Sequence, residues 1–322
     1  MADYIALDAG ERFSGRTSGT SVMGFSEPCE HTPKRMDTFI PPEWMRDFIL
    51  WTIHSKEPVY ITGPTGCGKT ATVKQVASML NYPMYEITGH SRLETPDLIG
   101  HFALVEGNTV WQDGPLTKAM RGGGYFLINE MDLLDPSTAA GLNTILDGSP
   151  LCIAETAEVV QPHPGFRFIA TGNTNGAGDD SGLYTGTLRQ NFALQNRFVQ
   201  FEADYLTPRQ ERAILTRMYE DAGKLPAKVC DNIIEVARLV RAAFCGTTSE
   251  DESQGLAGLA VPMSTRSVLR WAEWAYIAKP LAQRGVNVLE YSMDRAFANA
   301  VDKGNKVVLH EVLQRVAGEE SF

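Results

Sequence analysis

One eight-residue loop constrains the fold of this chain more than any other feature of its sequence. Residues 63–70 read Gly-Pro-Thr-Gly-Cys-Gly-Lys-Thr, a complete G-x-x-x-x-G-K-[ST] phosphate loop. The apolar run Val59–Ile61 precedes the loop, and a helical stretch from Lys69 to Leu80 follows it. This is the strand–loop–helix context that the motif needs. The sequence therefore predicts an α/β fold that binds a nucleoside triphosphate.

The loop supplies the candidate contacts to ATP and one candidate contact to Mg²⁺. Its backbone N–H groups would close around phosphate oxygens at the positive end of a helix dipole. Lys69 is expected to reach the phosphates, and the Thr70 hydroxyl is expected to hold Mg²⁺. The candidate nucleotide-binding residues of the loop are Gly63, Pro64, Thr65, Gly66, Cys67, Gly68, Lys69 and Thr70.

The order of elements predicts three regions. Residues 1–35 are interpreted as a flexible arm, because the first 24 or so are rich in Gly, Ser and Thr and show no period. Residues 36–205 alternate strands and helices, which indicates a parallel-sheet α/β nucleotide-binding core. Residues 206–322 turn helical and are predicted to be a smaller all-α lid, with residues 247–260 as a loop.

Composition narrows the class of protein. The five cysteines are scattered without a C-x-x-C pair, and the N-terminus lacks a signal-peptide pattern, so a reducing cytoplasm is expected. No apolar run approaches the length of a membrane span, which predicts no membrane partner. A formal net charge of −10 counts against a broad nucleic-acid-binding face.

A second motif ends the apolar strand Tyr125–Ile128, where Asn129 and Glu130 follow directly. This is a Walker B arrangement, in which an Asp normally helps to hold Mg²⁺ and a Glu polarises the attacking water. Glu130 takes the position of the base, and Asn129 takes the metal position without a negative charge. We therefore expect weaker Mg²⁺ binding. Asp132 either compensates for Asn129 or is a surface or capping residue of the next turn.

Three further polar residues are candidates for the reaction. Asn173 follows the buried strand that ends at Gly172, and it either orients water beside the γ-phosphate or belongs to a turn. Arg197 precedes the last strand and is either an arginine finger or a surface residue. Arg266 opens a helix in the helical region, where it either reaches the γ-phosphate or is solvated.

These motifs, in this order, resemble the AAA+ ATPases of the MoxR branch. The resemblance is stronger to the CobS-type ATPase subunit of aerobic cobaltochelatase. It covers most of residues 25–205 and thins in the lid. The segments that carry it are Phe25–Pro33, Gly89–Gly100, Pro162–Thr174, Gly182–Thr187 and Glu311–Glu320.

The resemblance implies a homo-oligomeric ring, usually a hexamer, with ATP and Mg²⁺ bound between subunits. By this resemblance Asn173 is the sensor-1 residue, Arg197 is the arginine finger and Arg266 is the sensor-2 arginine. Asn129 and Asn196 both stand where the family has Asp, so the hydrolysis rate and the orientation of the finger are open.

Residues His101–Gly114, with Gly107 and Asn108 as the turn, read as a β-hairpin, and Leu151–Ala154 and Glu158–Gln161 flank a second hairpin. The resemblance implies that such hairpins face the pore of the ring or a partner. Trp111 on the first hairpin either contacts a partner or packs on its own hairpin.

Three functions follow as hypotheses. The first is a ring ATPase that remodels a partner protein bearing a von Willebrand factor A domain, such as a metal-chelatase subunit. The second, motivated by Asn129, is a nucleotide-dependent assembly scaffold with weak hydrolysis. The third is a DNA-acting clamp loader or helicase, which the acidic charge disfavours. The six histidines show no metal-ligand spacing that would point to cobalt.

Overall fold

The computed structural model describes residues 2–179, 182–245 and 261–318, and the loop predicted at residues 247–260 lies outside them. The strands are β1 (Tyr4–Asp8), β2 (Ser21–Phe25), β3 (Val59–Thr62), β4 (Met84–Thr88), β5 (Gly100–Val105), β6 (Asn108–Asp113), β7 (Tyr125–Asn129), β8 (Leu151–Ile153), β9 (Glu158–Val160), β10 (Arg167–Gly172) and β11 (Val199–Glu202). The helices are α1 (Ala9–Ser14), α2 (Met45–His54), α3 (Lys69–Met79), α4 (Thr95–Ile99), α5 (Pro115–Gly122), α6 (Pro136–Ala140), α7 (Asn143–Leu146), α8 (Phe192–Gln195), α9 (Pro208–Leu215), α10 (Ala227–Phe244), α11 (Thr265–Ala278), α12 (Val288–Ala296) and α13 (Lys303–Ala317).

A five-stranded parallel sheet in the order β11-β3-β10-β7-β4 confirms the predicted α/β core. Residues Tyr125–Ile128 of β7 are fully buried, as expected for a strand covered on both faces. Strand β10 lies between β3, which leads into the phosphate loop, and β7, which carries the Walker B pair. Because parallel strands share one carboxyl edge, this order brings the ends of all three strands together.

The chain divides into two compact units. One contains residues 1–37, 43–64 and 69–203, and the other contains residues 38–42, 65–68 and the chain from residue 204 onward. The tip of the phosphate loop, residues 65–68, therefore clusters with the second unit. In its described part, the second unit is helical around a core in which Trp271 is fully buried. None of the described helices is both long and apolar enough to span a membrane.

The flexible arm predicted over residues 1–35 is wrong for residues 4–25, which form β1, α1 and β2. The polar residues of this segment are turn and cap residues rather than signs of disorder. The Asp8 carboxylate accepts hydrogen bonds from the backbone N–H groups of Glu11, Ser18 and Gly19, and these bonds lower its pKa. Phe25 is buried and packs edge-on against Tyr82, which fastens β2 to the core.

Both predicted hairpins form, β5 with β6 and β8 with β9. The first turn lies one residue earlier than predicted, at Glu106 and Gly107, since both residues have positive φ angles of 50° and 84°. This is the backbone that a two-residue hairpin turn requires. Trp111 packs edge-on against Phe102 and donates a 2.8 Å hydrogen bond to Asp113. Trp111 therefore packs on its own hairpin.

Candidate nucleotide-binding site

The phosphate loop follows β3 directly, and its first glycine is required by a close backbone approach. A Cβ atom at Gly63 would collide with the carbonyl oxygen of Ala203, and the φ angle of Gly63 is 150°. Gly68 has a φ angle of 98°, which L side chains rarely adopt. Helix α3 begins at the next residue, so its free N–H groups lie at the loop.

Lys69 lies inside the loop and reaches the predicted sensor residue. Its Nζ atom donates hydrogen bonds to the carbonyl oxygens of Gly63, at 2.6 Å, and Pro64, at 3.1 Å. It also donates to Oδ1 of Asn173 at 3.2 Å. The structure thus brings together the loop lysine and the polar residue that follows β10. An ammonium group held in this way is placed to exchange its carbonyl partners for phosphate oxygens.

Thr70 meets the Walker B asparagine. The Thr70 hydroxyl donates a 2.6 Å hydrogen bond to Oδ1 of Asn129, the last residue of β7. A second hydroxyl, that of the buried Thr171 on β10, donates to the same oxygen at 3.2 Å. Both residues predicted to hold the metal are therefore neighbours at the carboxyl edge of the sheet.

Glu130 follows Asn129 with an unusual backbone. Its φ and ψ angles are 55° and 45°, in the left-handed region that non-glycine residues rarely adopt. The side chain is exposed. Backbone outliers of this kind cost about 1–3 kcal/mol and cluster at functional sites. The strained turn directs the chain out of the sheet immediately after the metal position, where a base has access to water.

The surface position foreseen for Asp132 is wrong, because Asp132 is fully buried. Its Oδ2 atom accepts hydrogen bonds from the backbone N–H groups of Asn173, at 2.8 Å, and Thr174, at 2.9 Å. The Thr174 hydroxyl adds a third bond at 3.1 Å. The pKa of the Tyr60 hydroxyl is raised, mainly because Tyr60 is buried and secondly because the negative charge of Asp132 lies nearby. Asp132 thus fixes the backbone that presents Asn173, a role visible in the sequence only as one charge inside the apolar stretch 131–134.

Arg197 lies apart from this cluster. Its Nε and Nη2 atoms donate to the two carboxylate oxygens of Asp147 at 2.8 and 3.1 Å. Its Nη1 atom donates to the carbonyl oxygen of Ala193 at 2.7 Å. Within the described parts of the chain, Arg197 makes no hydrogen bond to the phosphate loop. Within the described residues, Arg197 also makes no hydrogen bond to Asn129.

Arg266 belongs to the second unit, together with residues 65–68. It is exposed near the start of α11. A Cβ atom built on Gly66 would lie 2.7 Å from Cβ of Ser264 and 3.3 Å from Cβ of Arg266. Inside this unit, the tip of the phosphate loop therefore packs on the first turn of α11.

A buried ion pair anchors that turn of α11 within the second unit. Arg241 donates to both carboxylate oxygens of Glu211, at 2.7 and 3.0 Å, and to the carbonyl oxygen of Met263 at 2.6 Å. The Thr265 hydroxyl donates to the same Glu211 at 2.6 Å. The side chains of Arg241 and Glu211 are 12% and 1% exposed. The ion pair of Arg241 with Glu211 therefore holds the chain at the start of α11, through the Met263 carbonyl and the Thr265 hydroxyl.

The donor set fits a magnesium ion that is held mainly by a nucleotide. Among the described residues, no group of three or more His, Cys, Asp or Glu side chains could hold a metal alone. Mg²⁺ prefers oxygen ligands and is usually held by one or two protein groups, water and substrate phosphates. Thr70 and Asn129 offer a hydroxyl and an amide oxygen 2.6 Å apart, which matches that demand.

Comparisons with known proteins agree with this geometry. The model of the AAA domain, dynein-related subfamily, matches residues 58–198. Aerobic cobaltochelatase subunit CobS of Sinorhizobium sp is 29% identical over 302 residues, which cover 88% of this chain and 85% of that protein. Protein NorQ of Paracoccus denitrificans is 31% identical over 246 residues, which cover 76% and 78%. Denitrification regulatory protein NirQ of Stutzerimonas stutzeri is 34% identical over 173 residues, which cover 53% and 60%.

Proposed function

The chain belongs to the AAA+ ATPases of the MoxR branch, close to CobS, and on that basis we propose that it assembles into a ring that remodels a partner protein. The observation that carries the site assignment is the meeting of Lys69 with Asn173 and of Thr70 with Asn129 at one edge of the sheet. Arg197 pairs with Asp147 rather than with these residues, and this pairing supports a role in a neighbouring subunit.

Each residue has a proposed task in ATP hydrolysis. Lys69 binds the phosphates, and its bond to Asn173 keeps that amide beside them. Glu130 accepts the proton of the attacking water, and Asn173 orients that water. Thr70 and Asn129 would hold Mg²⁺, which supplies positive charge against the phosphate oxygens when it is bound. By the family resemblance, Arg266 is a further proposed contact to the γ-phosphate.

A ring would give Arg197 a task in a neighbouring subunit. An arginine finger supplied by a neighbour stabilises the charge of the transition state only when the two subunits are assembled. The two oxygens of the Asp147 carboxylate pair with the Nε and Nη2 edge of the guanidinium, so Asp147 would hold the finger until a neighbour's nucleotide competes for it. We propose a hexamer, the usual number for this branch.

The proposed substrate is a protein. Similarity to a cobaltochelatase subunit supports a partner from a metal-handling complex, and the family resemblance favours a von Willebrand factor A domain. ATP binding and hydrolysis in the ring would change the conformation of that partner. We propose a cytoplasmic setting in which neither a membrane nor a nucleic acid is the substrate.

Mixed assemblies test the ring and the finger together. Arg197→Ala and Glu130→Gln subunits are each expected to be inactive as homo-oligomers. In a one-to-one mixture, about one interface in four joins an intact Glu130 site to an intact Arg197, so about a quarter of wild-type phosphate release should return. Size-exclusion chromatography with light scattering confirms that the two variants assemble together.

A mixture that assembles and stays inactive would contradict a trans role for Arg197. The matched control is a mixture of Glu130→Gln with Lys69→Ala subunits. Both variants damage the part of the site that the nucleotide-binding subunit supplies, so every interface in this mixture lacks either Lys69 or Glu130. Activity in this control would show that recovery has another cause.

A second candidate, a nucleotide-dependent scaffold with weak hydrolysis, is favoured by the absence of a carboxylate at Asn129. It predicts that ATP drives assembly while wild-type phosphate release stays far below about 1 s⁻¹. Turnover at or above that rate, measured on the assembled protein with saturating Mg²⁺, would eliminate the scaffold.

A further inference from the structure

Asn129 has a third partner, which neither its motif nor the family resemblance predicts. Its amide Nδ2 atom donates a 2.6 Å hydrogen bond to Oε1 of Glu86. Its oxygen, on the other side of the amide, accepts from Thr70 and Thr171 at 2.6 and 3.2 Å. The two ends of this amide therefore face chemically different surroundings.

The sheet places Glu86 in this position. Thr88 of β4 is the register partner of Asn129 of β7, so the two residues share one face of the sheet. Glu86 lies two residues before Thr88 and therefore points to the same face. Lys74 of α3 contacts the other oxygen of Glu86 at 2.6 Å, so the oxygen that faces Asn129 is not the one that Lys74 contacts.

An asparagine at the metal position has an orientation problem that an aspartate does not have. Both ends of a carboxylate are oxygen acceptors, whereas an amide presents either an oxygen or an NH₂ donor. A donor turned toward a cation would repel it. The hydroxyls of Thr70 and Thr171 do not favour one orientation of the amide over the other, because a hydroxyl can pair with either its oxygen or its NH₂ group. Glu86 does favour one orientation, because an ionised carboxylate only accepts hydrogen bonds and therefore pairs with the NH₂ group of the amide.

We propose that Glu86 is a positioning residue that holds the Asn129 amide with its oxygen toward Thr70 and the cation. It lets a neutral side chain do what an aspartate does without help. The inference rests on the proposed Mg²⁺-dependent ATPase function and adds a residue to it. Glu86 itself touches neither substrate nor metal in this scheme.

The test measures the Mg²⁺ concentration at which ATP binding is half-saturated. Isothermal titration with ATP on the full chain gives this value without relying on turnover. Glu86→Met removes the acceptor and keeps the side-chain length, and it should raise the half-saturating Mg²⁺ concentration about 10- to 100-fold, as loss of an orienting partner does at other metal sites. Lys74→Met is the matched control, because it removes the ion pair and leaves the acceptor for Asn129.

Asn129→Asp supplies the signature that a purely structural role would not give. Alone, this change sets two carboxylates against each other and should bring no gain in Mg²⁺ affinity. Combined with Glu86→Met, it should bring the half-saturating concentration back to within about threefold of wild type, because an aspartate needs no orientation. Glu86→Gln is the second variant. The glutamine has only one side-chain oxygen, for which Lys74 and Asn129 compete as donors. We therefore expect the half-saturating Mg²⁺ concentration to lie between those of wild type and Glu86→Met.

The outcomes separate the inference from the function beneath it. If wild type binds ATP with Mg²⁺ dependence and Glu86→Met leaves that dependence unchanged, the inference is wrong. It is also wrong if Lys74→Met shifts the dependence as much as Glu86→Met, or if Asn129→Asp fails to rescue. If wild type itself shows no Mg²⁺-dependent ATP binding, the proposed function falls and takes the inference with it.

Discussion

Replacing Glu130 by glutamine should lower ATP hydrolysis by about 10²–10⁴-fold, the usual contribution of a positioned base. Glu130→Gln preserves the size of the side chain and removes its ability to accept a proton. ATP affinity should stay within about threefold of wild type, because the phosphate contacts come from the loop and Lys69. Single-turnover phosphate release measures the chemical step, and a nucleotide titration on the same sample measures binding.

The control for Glu130→Gln is Glu155→Gln, which neutralises an exposed carboxylate elsewhere in the same unit. It should leave both quantities unchanged. If Glu130→Gln retains more than about a tenth of wild-type hydrolysis, Glu130 is not the base. The left-handed backbone at this residue would then need another explanation.

Replacing Arg241 by methionine should destabilise the protein by about 3–5 kcal/mol, the cost of breaking a buried ion pair. The change leaves the Glu211 carboxylate, 1% exposed, with a buried charge and only the Thr265 hydroxyl bond among its side-chain partners. It also removes the donor to the Met263 carbonyl at the start of α11. Chemical denaturation with a helical signal measures the loss.

Arg238→Met is the matched control on the same helix. Arg238 pairs with Glu235 three residues earlier, and these side chains are 36% and 44% exposed. An exposed pair of this kind contributes about 0–1 kcal/mol. The double change Arg241→Met with Glu211→Leu should recover part of the loss, since no unpaired charge remains. Equal effects of Arg241→Met and Arg238→Met would contradict the buried-pair interpretation.

The parts of this molecule that could be predicted are those set by local sequence. The phosphate loop, the apolar run of β7 and the polar residues that follow β7 and β10 define strands and strand ends without reference to the rest of the chain. In the folded chain Asn173 reaches Lys69 because β10 lies beside β3. The first hairpin was predicted from its turn residues, and the predicted turn lay only one residue too late in the chain.

The parts that could not be predicted depend on contacts between distant residues. Asp132 resembled a surface turn residue, and only the fold shows that its carboxylate is buried beneath residues 173 and 174. Glu86 belongs to none of the sequence motifs, and its bond to Asn129 exists only because β4 pairs with β7. The order of the N-terminal segment was missed for a similar reason, because it depends on hydrogen bonds to Asp8 from backbone N–H groups up to 11 residues away.

Steady-state phosphate release by wild type and by Lys69→Ala, measured side by side with and without Mg²⁺, decides whether the loop at residues 63–70 is the centre of an ATPase. Wild type should release phosphate from ATP in a Mg²⁺-dependent manner. Lys69→Ala should lose at least about 100-fold of that activity, because no other group on this loop supplies a positive charge to the phosphates. Undiminished hydrolysis by Lys69→Ala, or no hydrolysis by assembled wild type, would contradict the assignment.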